Sequence, residues 1–270
     1  MDALTEYKQV SGILYSCYTA FSREGEQFIP EHVFGHLISG SMIIQLQNRT
    51  FTFKEGDFAF FRRNHLAKFT KVPPSNGGTF KLLSVIFDQD TLRKFSMDYN
   101  YTTDRHEPTE DAIMHIAPDA LLQSYVTSIL PYLDEPLPAE LVSLKVNEAL
   151  FLLLKKFPAL KNTLFDFNDP GKIDLQEFMN KNFKFNVELK RLAYLTGRSL
   201  ATFKRDFEKI FSTSPSRWLL QKRLQEAYYL IKEQGKKPSD VYLEVGFESI
   251  AHFSYSFKKM FGVNPSGVRQ

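Results

Sequence analysis

His32 and His36, with Glu31 before them and His65 much later, are the side chains in this 270-residue sequence that invite a metal ion, because imidazole and carboxylate groups are common transition-metal ligands. A spacing of four along a strand places both imidazoles on one face but two pleats apart. The expectation is therefore ordinary histidines, with Glu31 and His32 as rim residues at a strand start and no metal. Arg62-Arg63 near a strand end has the donors to hold a carboxylate, although a solvated pair is the plainer expectation. No Ser-His-Asp set, P-loop or paired-carboxylate pattern appears, so nucleophilic and phosphoryl-transfer chemistry have no visible machinery. What remains is basic and polar. Two short runs, RSLATFKRDFEKIF (198–211) and ESIAHFSYSFKKMF (248–261), interleave phenylalanines with Lys204, Arg205, Lys209, His252, Tyr255, Lys258 and Lys259. Such side chains pair with phosphate oxygens, and an arginine fork also matches the O6/N7 edge of guanine.

Positioning those residues takes helices of a particular kind. In 187–211 a first helix carries Val187, Leu189, Leu192 and Ala193, Thr196-Gly197-Arg198 makes a turn, and Ser199 caps a second helix. Phe203, Phe207 and Ile210 are expected to point inward, leaving Ala201, Thr202, Lys204, Arg205 and Lys209 outside. The same pattern returns about fifty residues later. Ser239 and Asp240 are cap-type residues before Val241, Leu243 and Val245, Gly246 stops that helix, and Ser249 caps the next. There Phe253, Phe257 and Met260 form the inward stripe, with His252, Ser254, Tyr255, Lys258 and Lys259 outside. Asn264-Pro265 reads as one more helix start. Between the repeats, residues 214–235 predict a single long helix with Leu220, Leu224, Ala227 and Ile231 on one side and Gly235 at its end. Each repeat is a helix-turn-helix.

With these residues in view, residues 171–270 resemble the DNA-binding domain of the AraC/XylS family of bacterial transcription regulators. The resemblance rests on Arg223-Leu224, Ala227, Leu230-Ile231, Val245-Gly246-Phe247, Phe253, Phe257-Lys258, Phe261-Gly262, Pro265 and Arg269. It implies that Ala201, Thr202, Lys204 and Arg205 face bases from the first unit, and that Ile250, Ala251, His252 and Tyr255 hold the matching positions in the second. Arg205 is the first choice for bidentate guanine recognition and Lys204 for guanine or phosphate. Ser199, Ser249 and Lys258 suit phosphate, the two serines also serving as caps. Departures are Tyr242 in place of a small alanine, Ser212 in place of a glycine, and Ile250 and Ala251 in place of polar readers. The partners implied are double-stranded DNA and RNA polymerase, with activation as the direction of control.

Residues 12–88 read as short strands rich in β-branched and aromatic residues: 12–19, 32–38, 42–47, 50–53, 57–62, 66–70 and 80–87. The stretch GSMIIQLQNRTFTFKEGDFAFFRRNHLAKFT resembles a cupin-like barrel, with Gly40 and Gly56-Asp57 at its turns. An interior of Phe34, Ile44, Phe51, Phe58, Phe60 and Phe87 is expected, either filled or holding an apolar effector. Residues 89–117 are polar and read as irregular. Helices are expected at 120–132 and 139–157, the second apolar on more than one side. By resemblance these helices pair two subunits into a homodimer, with Leu141, Leu144, Phe151 and Leu154 as the candidate contacts. The expected architecture is thus α+β with two domains: 1–157 for regulation and dimerisation, a linker at 158–171, and an all-α DNA-binding domain at 172–270. The first domain would sense a small-molecule effector or a protein partner. A cupin-type metal enzyme tethered to a DNA-binding module is the alternative.

Charge supports the division. Residues 170–270 carry 18 Lys and Arg against 10 Asp and Glu, a net of +8, whereas residues 1–169 carry 16 against 21, a net of −5. A basic half beside an acidic one is what phosphate attraction requires. Cys17 is the single cysteine, which excludes an intramolecular disulfide and a cysteine zinc cluster, and a packed small hydrophobe is its expected role. No signal-peptide pattern and no apolar run of about twenty residues is present, so the expectation is a cytoplasmic chain with no membrane contact and no cofactor.

Overall fold

A computed structural model describes residues 4–10, 12–23, 27–104, 111–134 and 138–268. The chain divides into two compact units, 1–168 and 169–270. The first is β-rich. Its strands are β1 (Leu4–Val10), β2 (Ile13–Tyr18), β3 (Phe28–Ile29), β4 (His32–Ser39), β5 (Ser41–Gln45), β6 (Thr50–Lys54), β7 (Phe58–Phe61), β8 (His65–Leu66), β9 (Lys68–Val72) and β10 (Phe80–Phe87). After helix α1 (Gln89–Tyr99) comes a last strand, β11 (Ile113–Ile116), and then α2 (Ala120–Ile129), α3 (Ala139–Lys156) and a short turn of helix, α4 (Lys161–Leu164). A six-stranded sheet in the order β1-β2-β10-β4-β7-β11, a three-stranded sheet β6-β5-β9 and the pair β3-β8 are all antiparallel in their described pairings.

Strand alternation gives the large sheet two buried faces. One carries Phe34, Phe58, Phe60 and Phe87 against α1, α2 and α3, where Leu92, Phe95, Tyr125, Val146 and Leu153 complete the core. The other carries Leu37, Ala59, Phe61 and Phe80 against Met42, Ile44 and Phe53 of the small sheet. The six apolar residues expected in one interior therefore split. Ile44 and Phe51 lie on the inter-sheet side, while Phe34, Phe58, Phe60 and Phe87 belong to the helix-covered face. Every residue of β7 is buried, as a central strand covered on both sides must be.

Several features of this unit depart from the sequence reading. Residues 89–99 form α1, capped by Asp88, whose carboxylate accepts from Thr91 N at 2.7 Å. The segment from 158 is a 3-10 turn followed by α4, and Leu160, Leu164 and Phe165 sit in the core, so the compact unit runs to Asn168. His32 is no rim residue. It is buried, stacks on Phe60 with ring centroids 5.4 Å apart, and its Nδ1 accepts from Arg63 N at 3.2 Å. Burial and the neighbouring arginines pull it down to about 3, so the ring is neutral at physiological pH. Arg63 is not solvated either, since its guanidinium donates to Asp166 O at 2.7 Å and Asn168 O at 3.1 Å. Cys17 is buried.

The second unit is helical throughout: α5 (Leu175–Asn182), α6 (Leu189–Leu195), α7 (Leu200–Phe211), α8 (Pro215–Lys232), α9 (Pro238–Glu244) and α10 (Ile250–Phe261), with a closing 3-10 turn at Pro265–Gly267. Leu224, Ala227, Leu230 and Ile231 of α8 pack with Val241, Val245, Phe247, Phe253 and Phe257. Phe207 meets the only tryptophan, Trp218, edge-on at 5.7 Å. Among the described residues no helix is long and apolar enough to cross a membrane.

Candidate nucleic-acid interface

Each helix-turn-helix is built from local rules. Thr196, fully buried, ends α6 by donating its hydroxyl to Leu192 O and Ala193 O, both at 2.9 Å. Gly197 then turns with φ +65, where a Cβ would lie 2.4 Å from the Gly171 carbonyl carbon, so both conformation and space demand glycine. Ser199 Oγ accepts from Thr202 N at 3.2 Å to start α7. In the second unit Gly246 turns with φ +98 and Ser249 Oγ accepts from His252 N at 3.4 Å to start α10. The second unit's first helix begins two to three positions earlier than the caps suggested: Lys237 is the N-cap, Pro238 opens α9, and Ser239 and Asp240 lie in its first turn.

The structure brings the expected surface residues together on two helix faces. On α7, Ala201, Lys204 and Arg205 are exposed and Thr202 half-buried. The Arg205 side chain is 65% exposed, with one loose contact to Asp206 at 3.5 Å. On α10, Ile250, Ala251, His252, Tyr255 and Lys258 are exposed, Tyr255 at 68%. Phe203, Phe207, Phe253 and Phe257 are buried as the stripes predict. Ile210 and Met260 are not, because each sits in the last turn of its helix, beyond the core's edge. Tyr242 is accommodated half-buried, 6.5 Å from the Phe253 ring. Arg269 lies outside the described residues.

Two residues with structural roles were not assigned them from sequence. Arg198 donates to Thr196 O at 2.6 Å, Ile173 O at 3.0 Å and Asp206 at 3.2 Å, tying the first turn together. Arg223 of α8 donates to Phe183 O, Phe185 O and Gly246 O at 2.7, 2.8 and 2.9 Å. Burial pulls its guanidinium down to about 10, which leaves it charged at neutral pH. For Arg223 the available signal was a single arginine set beside Leu220, Leu224 and Ala227 on α8, a position that only a paired charge tolerates.

Ser212 closes α7 in the left-handed region, φ 54 and ψ 26. A serine pays about 1–2 kcal/mol there that glycine avoids, offset by glycine's extra unfolded entropy of about 0.5–1 kcal/mol. Ser212→Gly is therefore expected to stabilise this unit by about 0.5–1 kcal/mol, read from denaturant unfolding by Trp218 fluorescence. An unchanged or lower midpoint would contradict the strain.

Of the candidate subunit contacts on α3, Leu141, Leu144 and Phe151 are exposed, Leu144 at 62%, but Leu154 is 5% exposed and belongs to the core. Leu154 is one turn from Leu150 and follows it inward.

A helical domain that repeats a capped helix, a glycine turn and a second helix with a polar, basic face is a double helix-turn-helix DNA-binding module. Residues 32–163 match the model of the ExsA N-terminal regulatory domain, and residues 192–270 match that of a helix-turn-helix domain. The HTH-type transcriptional regulator ExsA of Pseudomonas aeruginosa is 28% identical over 87% of this chain and 84% of its own length. The virulence regulon transcriptional activator VirF of Yersinia enterocolitica is 26% identical over 86% and 87%. A crystal structure of an apo ToxT variant from Vibrio cholerae aligns over 96% of this chain and 97% of that one, at 15% identity and a TM-score of 0.47. The chain belongs to the AraC/XylS family of transcription regulators. It is a DNA-binding regulator with an N-terminal regulatory domain, and its relatives are regulators rather than enzymes, which removes the metal-enzyme alternative.

Proposed function

We propose that this protein is a cytoplasmic transcription activator that places α7 and α10 in successive major grooves on one side of the duplex, about 34 Å apart. The observation that carries the reading is the repetition of one exposed polar face on two capped helices within the half of the chain whose net charge is +8. Arg205 reads a guanine through O6 and N7, and Lys204 reads guanine or phosphate. Ala201 and Thr202 complete the first reading face. Ile250 and Ala251 offer apolar contact to thymine methyl groups, beside His252 and Tyr255. Lys258 and the helix N-termini capped by Ser199 and Ser249 hold phosphates. Two copies pair through the exposed Leu141, Leu144 and Phe151 of α3, the first domain receives a small-molecule or protein signal, and the DNA-bound dimer engages RNA polymerase. The activator names of the relatives support the direction of control.

The test is selection of a binding site from a randomised duplex pool by the full-length protein, followed by titration at two salt concentrations. The expected result is an enriched site with two preferred blocks about 10 base pairs apart, and a preference over random duplex of at least roughly 10³-fold at physiological salt. Binding with no enriched sequence and a steep salt slope would mean that the basic domain only grips phosphate.

A further inference from the structure

Three pieces of the second unit meet at one guanidinium. Arg223 lies mid-way along α8, the helix joining the two repeats. Its Nε donates to Phe183 O and its Nη2 to Phe185 O, both in the segment leading into α6 of the first repeat. Its Nη1 donates to Gly246 O, in the turn of the second repeat, and reaches Asn186 Oδ1 at 3.4 Å. Asn186 in turn donates to Glu248 Oε1 at 2.6 Å, and Lys184 pairs with Glu226 of α8 at 2.6 Å. The approach is tight. A Cβ on Gly246 would lie 2.6 Å from Lys184 O and 3.1 Å from Arg223 Cζ. Beside this contact the repeats part around a cleft of about 490 Å³ whose walls include Glu188 and Leu189 on one side and Phe247 and Ser249 on the other. The junction is thus narrow, and a planar five-donor fork holds it by main-chain oxygens whose positions follow the backbone directly.

We infer that Arg223 is a positioning residue that fixes the angle and distance between α7 and α10, and so sets the half-site spacing this protein accepts. The inference rests on the two-groove reading above. A lysine in its place has a flexible stem and a point charge, and serves one or two of these carbonyls without fixing the plane between them. A glutamine supplies no fork at all. One base pair added between half-sites turns the second by about 34–36° and moves it about 3.4 Å, a displacement that a locked pair of repeats rejects and a hinged pair follows.

The experiment compares full-length wild type, Arg223→Lys and Arg223→Gln on the selected duplex and on versions with one base pair inserted or removed between the two blocks. The readout is the ratio of Kd values between altered and native spacing, which a general loss of affinity leaves unchanged. Wild type is expected to lose at least ~10-fold on altered spacing. Arg223→Gln is expected to bind the native duplex more weakly and to lose less than ~3-fold on altered spacing, with Arg223→Lys between the two. A spacing ratio in both variants equal to wild type, whatever their affinity, would overturn the role. If Arg223→Gln does not fold, as Trp218 fluorescence would show, the same ratio in Arg223→Lys decides. A wild type with sequence preference but no spacing penalty would defeat this inference and the two-groove arrangement. A wild type with no sequence preference would defeat the DNA reading itself.

Discussion

Truncating Arg205 to alanine is expected to weaken binding to the selected site by about 1–3 kcal/mol, roughly 5- to 150-fold, and to relax preference at a single base pair. The size follows from what a bidentate arginine–guanine contact supplies over a wrong base. The structure explains why the loss should fall on recognition rather than folding. Arg205 projects from α7 with its side chain 65% exposed, and its contact with Asp206 is loose at 3.5 Å. Asp206 is held independently by Arg198. Nothing in the domain's core depends on the Arg205 guanidinium, so thermal stability should stay within ~0.5 kcal/mol of wild type. The check is competition binding against the four single-base versions at each site position. A uniform loss across all of them, with a salt slope smaller by about one, would instead assign Arg205 to a phosphate.

Leu144→Asp is expected to convert a dimer to a monomer in sedimentation velocity. Leu144 is 62% exposed and points away from the core that Val142, Val146, Ala149 and Leu153 build on the same helix. A carboxylate there costs the isolated subunit little. Across a subunit interface it removes an apolar contact from both copies and buries two like charges near one another, a loss of about 2–4 kcal/mol or more at a central position. Leu154, only 5% exposed, is the wrong place for the same experiment, since aspartate there would unfold the domain and say nothing about assembly. A dimer that persists in Leu144→Asp would remove α3 from the interface.

The helical half was legible because its signals are local and redundant. Ser199 and Ser249 cap as their sequence positions announce, Gly197 and Gly246 occupy positive φ, and Phe203, Phe207, Phe253 and Phe257 turn inward. The stripe failed only at Ile210 and Met260, where periodicity continues but the partner surface has ended. The first half was harder to read because its outcomes depend on what packs from elsewhere. Helix α1 buries only Leu92 and Phe95, too thin a stripe to stand out among polar residues, although Asp88 was a cap signal on the page. The short edge strand β11 pairs with β7 and has nothing in its four residues to demand that partner. Pro158 looked like the start of a linker but opens a 3-10 turn whose successors, Leu160 and Leu164, complete the helix-covered core. His32 and Arg63 looked like surface residues because a sequence does not show that the carbonyls of Asp166 and Asn168, about a hundred residues on, come to meet the guanidinium.

The grip of Arg63 on Asp166 and Asn168 is made through main-chain oxygen alone. The acceptors are backbone, but the turn that presents them is shaped by Asp166, whose Oδ1 accepts from Asn168 N at 3.1 Å and from Asn168 Nδ2 at 2.7 Å. Recombination between related genes meets a different situation on either side of Asn168. A crossover near 157 separates Leu160, Leu164 and Phe165 from the core they fill, whereas one just after Asn168 passes between two self-contained units. The seam at which regulatory and DNA-binding halves can be exchanged in evolution therefore lies downstream of this arginine, and shuffled descendants should inherit residues 158–168 with the first half.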